Sequence, residues 1–578
     1  MAASFAGLIA AAFRYPGPYA SGTIATSPAG EFAQMKLDTL SAVAASVLVW
    51  LVALPSIATD KEADKTDFAI GAICRAEQHD GGPGNGKPLV RIESGMGDGG
   101  FPVATSSRAA QQWFDYGIKL FHAFYHEDAR QAFDNAAAAD PRCALCLWGQ
   151  ALSRGPTQNF DASDEDLKAG LDFARKAQTA ARTEREKILT AAMVKRYSRA
   201  QDVAAEREFA SELLKAEAAG PSTPDLRLLA AEALMTGFRR GDHTTAPEAE
   251  ALLEPVLHAS PQNTAAIHYY IHATEFAGKP ALALAYAEQL SRLAPKASHL
   301  VHMAAHTYIH VGRYEDAATI NAFALQTDAQ HLTDTATPGP LSTADYYEHN
   351  LIFGMAGTLM SGDRALGLKF ADHLHRAFPD KAFNHDGASA TEGKRYLIYA
   401  RYDPARLLSL PEPPPESPMT QSLYHYARGE AYAVLHDETG LAREAAQVKG
   451  DKPLFAVARN VLAGRLAMLQ GRFADAAKAF EAAANQQDTL LVSSMDPPPW
   501  WYPVRRSVAV AWLKDGKFEQ AETAARASLS AWPGDPMALL VLSRAEDALG
   551  HEADARHAAA EALGGWEGDI GKVDIAVL

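Results

Sequence analysis

The chain has 578 residues, 48% of them hydrophobic and 21% charged, which is too long for one compact core. Its 70 acidic and 54 basic residues give a formal charge of −16, with the two signs interspersed. That balance speaks against nucleic acid as a partner, because phosphate contacts need a basic face. Three cysteines exclude a fold held by a disulfide framework.

Residues 1–58 read as an upstream extension followed by a signal peptide starting at Met35. Lys36 supplies a positive n-region, residues 40–54 a mostly apolar core, and Ser56-Ile57-Ala58 a small-x-small cleavage site. The expectation is an exported chain, periplasmic or secreted. If the segment stays uncleaved it is the membrane contact, since no later stretch is long and apolar enough to span a bilayer. Residues 59–103, with GGPGNGKP and GMGDGG, lack sustained periodicity and predict a loop-rich segment.

From residue 104 the pattern becomes helical. Trp113, Tyr116, Gly117, Leu120, Ala129, Phe133 and Pro141 fit the spacing W-x2-L-G-x2-Y…A-x3-F…P, with Tyr and Leu exchanged. Glycine and alanine stand where two helices approach closely, and the proline is expected to open the next helix. The beat recurs. Ala249, Ala283 and Ala317 follow one another at 34-residue intervals, as do Pro261 and Pro295, and Ala521 and Ala555. Ala476 takes the same small position, and Gly237 matches Gly117. Inserts at 327–342 and 485–500 break the beat, and such inserts often serve binding. The segment LPEPPPESP at 410–418 reads as a linker between a front array, 104–409, and a C-terminal array, 419–578. The predicted fold is all-α, a solenoid of helix–turn–helix repeats with loop insertions.

These units resemble the tetratricopeptide repeat (TPR) superfamily. More narrowly, FPVATSSRAAQQWFDYGIKL, DPRCALCLWGQALSRGP, HYYIHATEFAG, HLVHMAAHTYIHVGRYEDA and PPPWWYPVRRS resemble a group of exported bacterial TPR proteins, from about residue 95 onward. Where that group would carry GPNIN, this chain reads GPTQNF. The superfamily resemblance implies that the first helix of each unit lines a concave groove, its positions 2, 5, 9, 12 and 13 facing a ligand. With Ala283 and Ala317 at position 20, His268 and His302 fall at 5, His272 and His306 at 9, and His299 at 2. Glu275 falls at 12 and His310 at 13. Aligning Gly362 with Gly312 places His349 at 2. His122 falls at 13 in the first unit, and Arg506 at 5 in a later one.

Histidines four apart share one helix face and can hold one ion, a rule met by His268/His272, His302/His306 and His306/His310. Packed helices lie roughly 8–10 Å apart, so imidazoles from adjacent units can meet between them. The expected metal ligands are His268, His272, His299, His302, His306 and His349, with Glu275 as a further ligand or proton carrier. His122, His310 and Arg506 are expected to line the groove. Imidazole-rich sites suit copper, iron or zinc. The same histidines can instead pack, or hydrogen-bond a peptide, and an unmetallated groove is expected to charge below about pH 6.5. Cys143 and Cys146 form a C-x-x-C opening a helix, read as a local disulfide or as a thiol pair completing a soft-metal site that would favour copper. PPPWWYPVRR offers an aromatic and guanidinium clamp, or packing against the solenoid.

No Walker loop, dinucleotide fingerprint, nucleophile elbow or H-E-x-x-H occurs. The expected function is an exported binding protein holding a transition metal or metal-bearing ligand in the histidine groove. The alternatives are a metal-dependent enzyme with an open coordination position, and a metal-free scaffold for a peptide or protein partner.

Overall fold

Helix follows helix because apolar side chains recur at helical spacing, and polar caps or left-handed glycines close many of the turns. The computed structural model describes residues 90–577 except 200–201, 239–240, 337–340, 342–343, 345, 379–385 and 492–496, together with 65–66, 69–70 and 72–74. The expected signal peptide and the extension before it lie outside the described residues. Among the described residues there is no strand. None of their helices is long and apolar enough to cross a membrane.

The leading helices are α1 Arg108–His122, α2 His126–Ala139, α3 Ala144–Leu152, α4 Asp164–Ala180, α5 Glu184–Ser198, α6 Val203–Ala218, α7 Pro224–Met235 and α8 Ala246–Ala259. The middle of the chain follows with α9 Thr264–Phe276, α10 Leu284–Leu293, α11 Ser298–His302, α12 Ala304–His310, α13 Tyr314–Asp334 and α14 Tyr347–Ser361. Next come α15 Arg364–Ala377, α16 Asp386–Tyr402, α17 Pro404–Ser409, α18 Pro418–Val434, α19 Glu438–Ala445 and α20 Pro453–Leu469. The last are α21 Phe473–Leu490, α22 Arg505–Lys514, α23 Phe518–Ala531, α24 Pro536–Leu549 and α25 Glu552–Gly564. Each packs against its successor, giving the expected TPR-like array of helical hairpins.

The repeat register has a steric basis. A Cβ on Gly117 would sit 2.6 Å from the Phe133 ring, and one on Gly149 2.3 Å from it. Both helices therefore close on one phenyl group. Ala249, Ala283, Ala317, Ala476 and Ala521 are fully buried at the equivalent small position. Asn263 caps α9 by accepting from the Ala266 N–H, and Ser107 caps α1 in the same way. Pro141 does not open a helix: it lies in the turn before α3, whose N-cap is Cys143.

The two inserts begin as helix, since α13 continues to Asp334 and α21 to Leu490. GMGDGG stays irregular but is tied down. The Asp98 N–H donates to Thr264 Oγ1 (2.7 Å), and the Gly100 N–H donates to Asp225 Oδ1 (2.9 Å). Within the segment expected to be loop, residues 65–66, 69–70 and 72–74 are helical, and Ala69, Ala72 and Ile73 are buried. α13 and α14 each give one face to each of two apolar clusters. Ala317 and Phe353 join the cluster of the leading helices, whereas Ala318 and Leu351 join that of the C-terminal ones.

Candidate metal centre

The helices α9, α11, α12 and α14 bring the central histidines together. Ring centroids are 5.1 Å apart for His268 and His272, both on α9, and 4.9 Å for His302 at the end of α11 and His306 in α12. Between elements, His268 lies 4.9 Å from His299, His272 5.2 Å from His306, and His302 4.7 Å from His349. The nitrogens form two sets, His268/His272/His299 and His302/His306/His349, each with ligand atoms within 4.8 Å of one another. A third group, His272/Glu275/His306, takes one histidine from each set.

Five of these six imidazoles are buried and do not line an open groove, and His349 is half-buried. His268 and His302 are 0% exposed, His299 2%, His272 4% and His306 5%. Phenyl and phenol rings close over them. Phe124 stacks on His299 at 4.8 Å and meets His268 at 4.4 Å. Tyr346 lies 4.2 Å from His299, and Phe353 packs on His302 and His306 at 4.7 and 4.6 Å. Burial also corrects the expected charging near pH 6.5. Desolvation pushes His268 down to about 3, the His122 carbonyl only partly offsetting it, and carries His272 and His299 well below the usual imidazole range.

Hydrogen bonds fix three tautomers. His268 Nδ1 lies 2.7 Å from the His122 carbonyl oxygen, which can only accept. His302 Nδ1 lies 2.7 Å from Asn321 Oδ1, whose identity is set because Asn321 Nδ2 donates to the Ala317 carbonyl (2.7 Å). His306 Nδ1 lies 3.0 Å from Glu275 Oε2. Each ring thus carries a proton on Nδ1, which in the neutral ring leaves the Nε2 lone pair for a metal, the outer support that metal-ligating histidines use. His268 Nε2 stands 3.1 Å from His299 Nε2. Two nitrogens on one tetrahedral zinc, at roughly 2.0–2.1 Å each, would be about 3.3 Å apart. Both nitrogens of His272 and Nδ1 of His299 are buried with no hydrogen-bond partner. Orphaned buried groups of this kind cost about 1–3 kcal/mol each unless something binds them.

Around the centre stand residues that sequence reading missed. Phe124 adopts φ 63°, where the equivalent turns carry Gly278 and Gly312 at φ 72° and 82°. A left-handed residue with a Cβ costs about 1–2 kcal/mol, and here that strain places a phenyl group over the histidines. The signal was present: Phe124 precedes Ala129 by the same five residues that separate Gly278 from Ala283. His126 is held between Phe121 and Phe124, and burial pushes its ring down to about 3.

Other expected site residues lie elsewhere. His122 is buried rather than groove-lining. Its Nε2 is 3.3 Å from Asp225 Oδ1, and its Nδ1 is 3.0 Å from Tyr269 Oη. Tyr269 in turn stacks on His268 at 4.9 Å. His310 sits at the rim, one-third exposed, with Nε2 3.8 Å from Glu275 Oε1. Arg506 does not face a groove. It is 1% exposed, paired with Asp535 at 3.1 Å and stacked on Tyr502 at 4.5 Å, because the WWY segment folds over its position. Trp500, Trp501 and Tyr502 are buried, so this segment is packing and not a clamp. Cys143 and Cys146 are joined in a buried disulfide, which removes the thiolates a soft-metal site would need.

The GPTQNF loop reaches the same centre. Arg196 Nη2 donates to the Pro156 carbonyl (2.8 Å), and Asn159 Nδ2 donates to Tyr346 Oη (3.2 Å). Behind it Glu232 is 1% exposed, and burial raises its carboxyl to about 7. With a folded value above the unfolded one, stability falls as pH rises from about 4.5 to about 7 and is flat above. Glu232→Gln is expected to abolish that slope and to be more stable than wild type by roughly 2–4 kcal/mol at pH 8. Urea unfolding across pH 4.5–8 measures it; parallel curves for the two proteins would contradict it.

No family model and no curated protein matches this chain. Solved structures align with much of its length at low identity. The human IFIT1 dimer with m7Gppp-AAAA is 11% identical, covers 80% of this chain and 91% of that one, and has a TM-score of 0.29. Naa15/Naa10 bound to HypK-THB is 12% identical, covers 78% and 70%, and has a TM-score of 0.21. What those proteins bind is a property of those proteins.

Proposed function

We propose that this chain is an exported protein that holds a transition metal in its buried histidine centre. One observation carries the reading: three imidazoles converge within 4.8 Å in a set that includes His272, whose two buried nitrogens have no other partner. Neutral imidazole donors, three of them supported through Nδ1, favour copper, zinc or iron over the oxygen-seeking cations. The Cys143–Cys146 disulfide supports export into an oxidising compartment. Protein purified without an affinity tag and desalted should retain metal on elemental analysis, and His272→Ala should lose most of it. Wild-type protein that carries substoichiometric metal and takes none up when it is supplied would overturn the reading.

A second reading, a metal-dependent enzyme, is favoured by the Asp225–His122–Tyr269 chain ending against His268. Carboxylate, imidazole and phenol in series can hold and move a proton beside a metal that keeps a coordination position open. A metal-free scaffold using these histidines has less support, because five of the six imidazoles are only 0–5% exposed and offer little to a peptide, His349 alone being half-buried.

A further inference from the structure

Resting on the metal-binding reading, we infer that the centre is dinuclear. One transition ion occupies His268/His272/His299, a second occupies His302/His306/His349, and Glu275 stands between them. The two sets follow the repeat. The first set takes positions 5 and 9 of one unit and position 2 of the next. The second set takes positions 5 and 9 of that next unit and position 2 of the one after. Translation by one repeat therefore generates the second site from the first, as stacked units in a solenoid require of equivalent positions.

The surroundings repeat as well. In each set the position-5 histidine has its Nδ1 2.7 Å from a fixed oxygen, the His122 carbonyl for His268 and Asn321 Oδ1 for His302. In each set a phenylalanine packs on the rings, Phe124 on the first and Phe353 on the second. The sets share no residue, and among the described residues no metal-capable group joins His268 to His302 or His349. Six imidazoles on a single ion are thus not what this arrangement provides.

Two cations side by side repel, and six neutral rings do nothing to offset that repulsion. Glu275 is the carboxylate in these groups, and it lies with His272 of one set and His306 of the other. Its side chain is 6% exposed, so its charge acts in a low-dielectric interior. A carboxylate so placed can bridge the pair or lower its mutual repulsion, as in two-metal centres generally.

The test uses full-length, chelator-stripped protein titrated with Co²⁺ alone, reading visible absorption, bound cobalt after desalting, and the EPR signal. Wild type should bind two equivalents, with spin coupling that reduces the integrated signal below two independent ions. His268→Ala and His349→Ala should each retain one equivalent. Glu275→Gln should weaken the second step at least tenfold and restore the uncoupled signal. One equivalent in the wild type would overturn the dinuclear centre and leave the single-metal reading standing. No bound cobalt, nor any other ion supplied, would overturn both. The wild-type stoichiometry decides the matter even where a histidine variant fails to fold.

Discussion

Metal-free protein is expected to gain about 4 kcal/mol of unfolding free energy per occupied site when its ion is supplied at a thousand times the dissociation constant. His272→Leu should remove the gain at its site. The expected sign in the absence of metal is the reverse. Leucine fills much of the imidazole's volume and carries no nitrogen, whereas His272 keeps two buried nitrogens without partners. Relief of those groups, at about 1–3 kcal/mol each, should leave the metal-free variant at least as stable as metal-free wild type. Urea unfolding with chelator and with supplied ion gives the four midpoints required. Equal metal increments in the two proteins would show that the ion binds elsewhere. A variant less stable than wild type under chelator would show that His272 is satisfied in a way the geometry does not explain.

How far this centre was legible from the chain follows from what a repeat encodes. The 34-residue interval aligns His268 with His302 and His272 with His306; the structure brings the second of these pairs to 5.2 Å, and the pairs four residues apart to 5.1 and 4.9 Å. Periodicity also put His299 and His349 on the same side, and both join the sets. It gave no account of depth. The rings are buried because Phe124 and Tyr346 fold over them; the register shows that Phe124 takes a turn position held elsewhere by glycine, but where its ring lands depends on how the units stack. Arg506 failed for the same reason: its register position was right for a groove, but the WWY insert occupies that space. The Asp225–His122–Tyr269 chain joins α7, α1 and α9, so it too was invisible before the helices were stacked.

The largest effect expected without metal comes from the pair that anchors the GPTQNF loop. Arg196 and Glu206 have side chains 1% and 3% exposed, and Arg196 Nε donates to both Glu206 oxygens at 3.0 and 2.9 Å. Removing one partner of a buried pair usually costs about 3–5 kcal/mol, because a charge is left behind. Here a substitute stands close by. Burial raises the Glu232 carboxyl to about 7, Arg196 lowers it and Glu206 raises it. In Glu206→Gln the repulsion disappears and the attraction stays, so Glu232 should ionise and take over as counter-ion. That variant should therefore lose less than the full cost, and its stability should no longer fall between pH 4.5 and pH 7. Glu206→Gln with Glu232→Gln should lose the full amount, and because Glu232→Gln alone is stabilising, the loss should exceed the sum of the single changes by at least roughly 2–4 kcal/mol. Because Arg196 also holds Pro156, and Asn159 of that loop holds Tyr346 over His299, the double variant should release bound metal faster than either single one. A double-mutant cycle at pH 8, combined with the rate of metal transfer to a chromophoric chelator, measures both effects. Additive energies would mean that Glu232 does not replace Glu206, and unchanged release would mean that the loop does not close the centre.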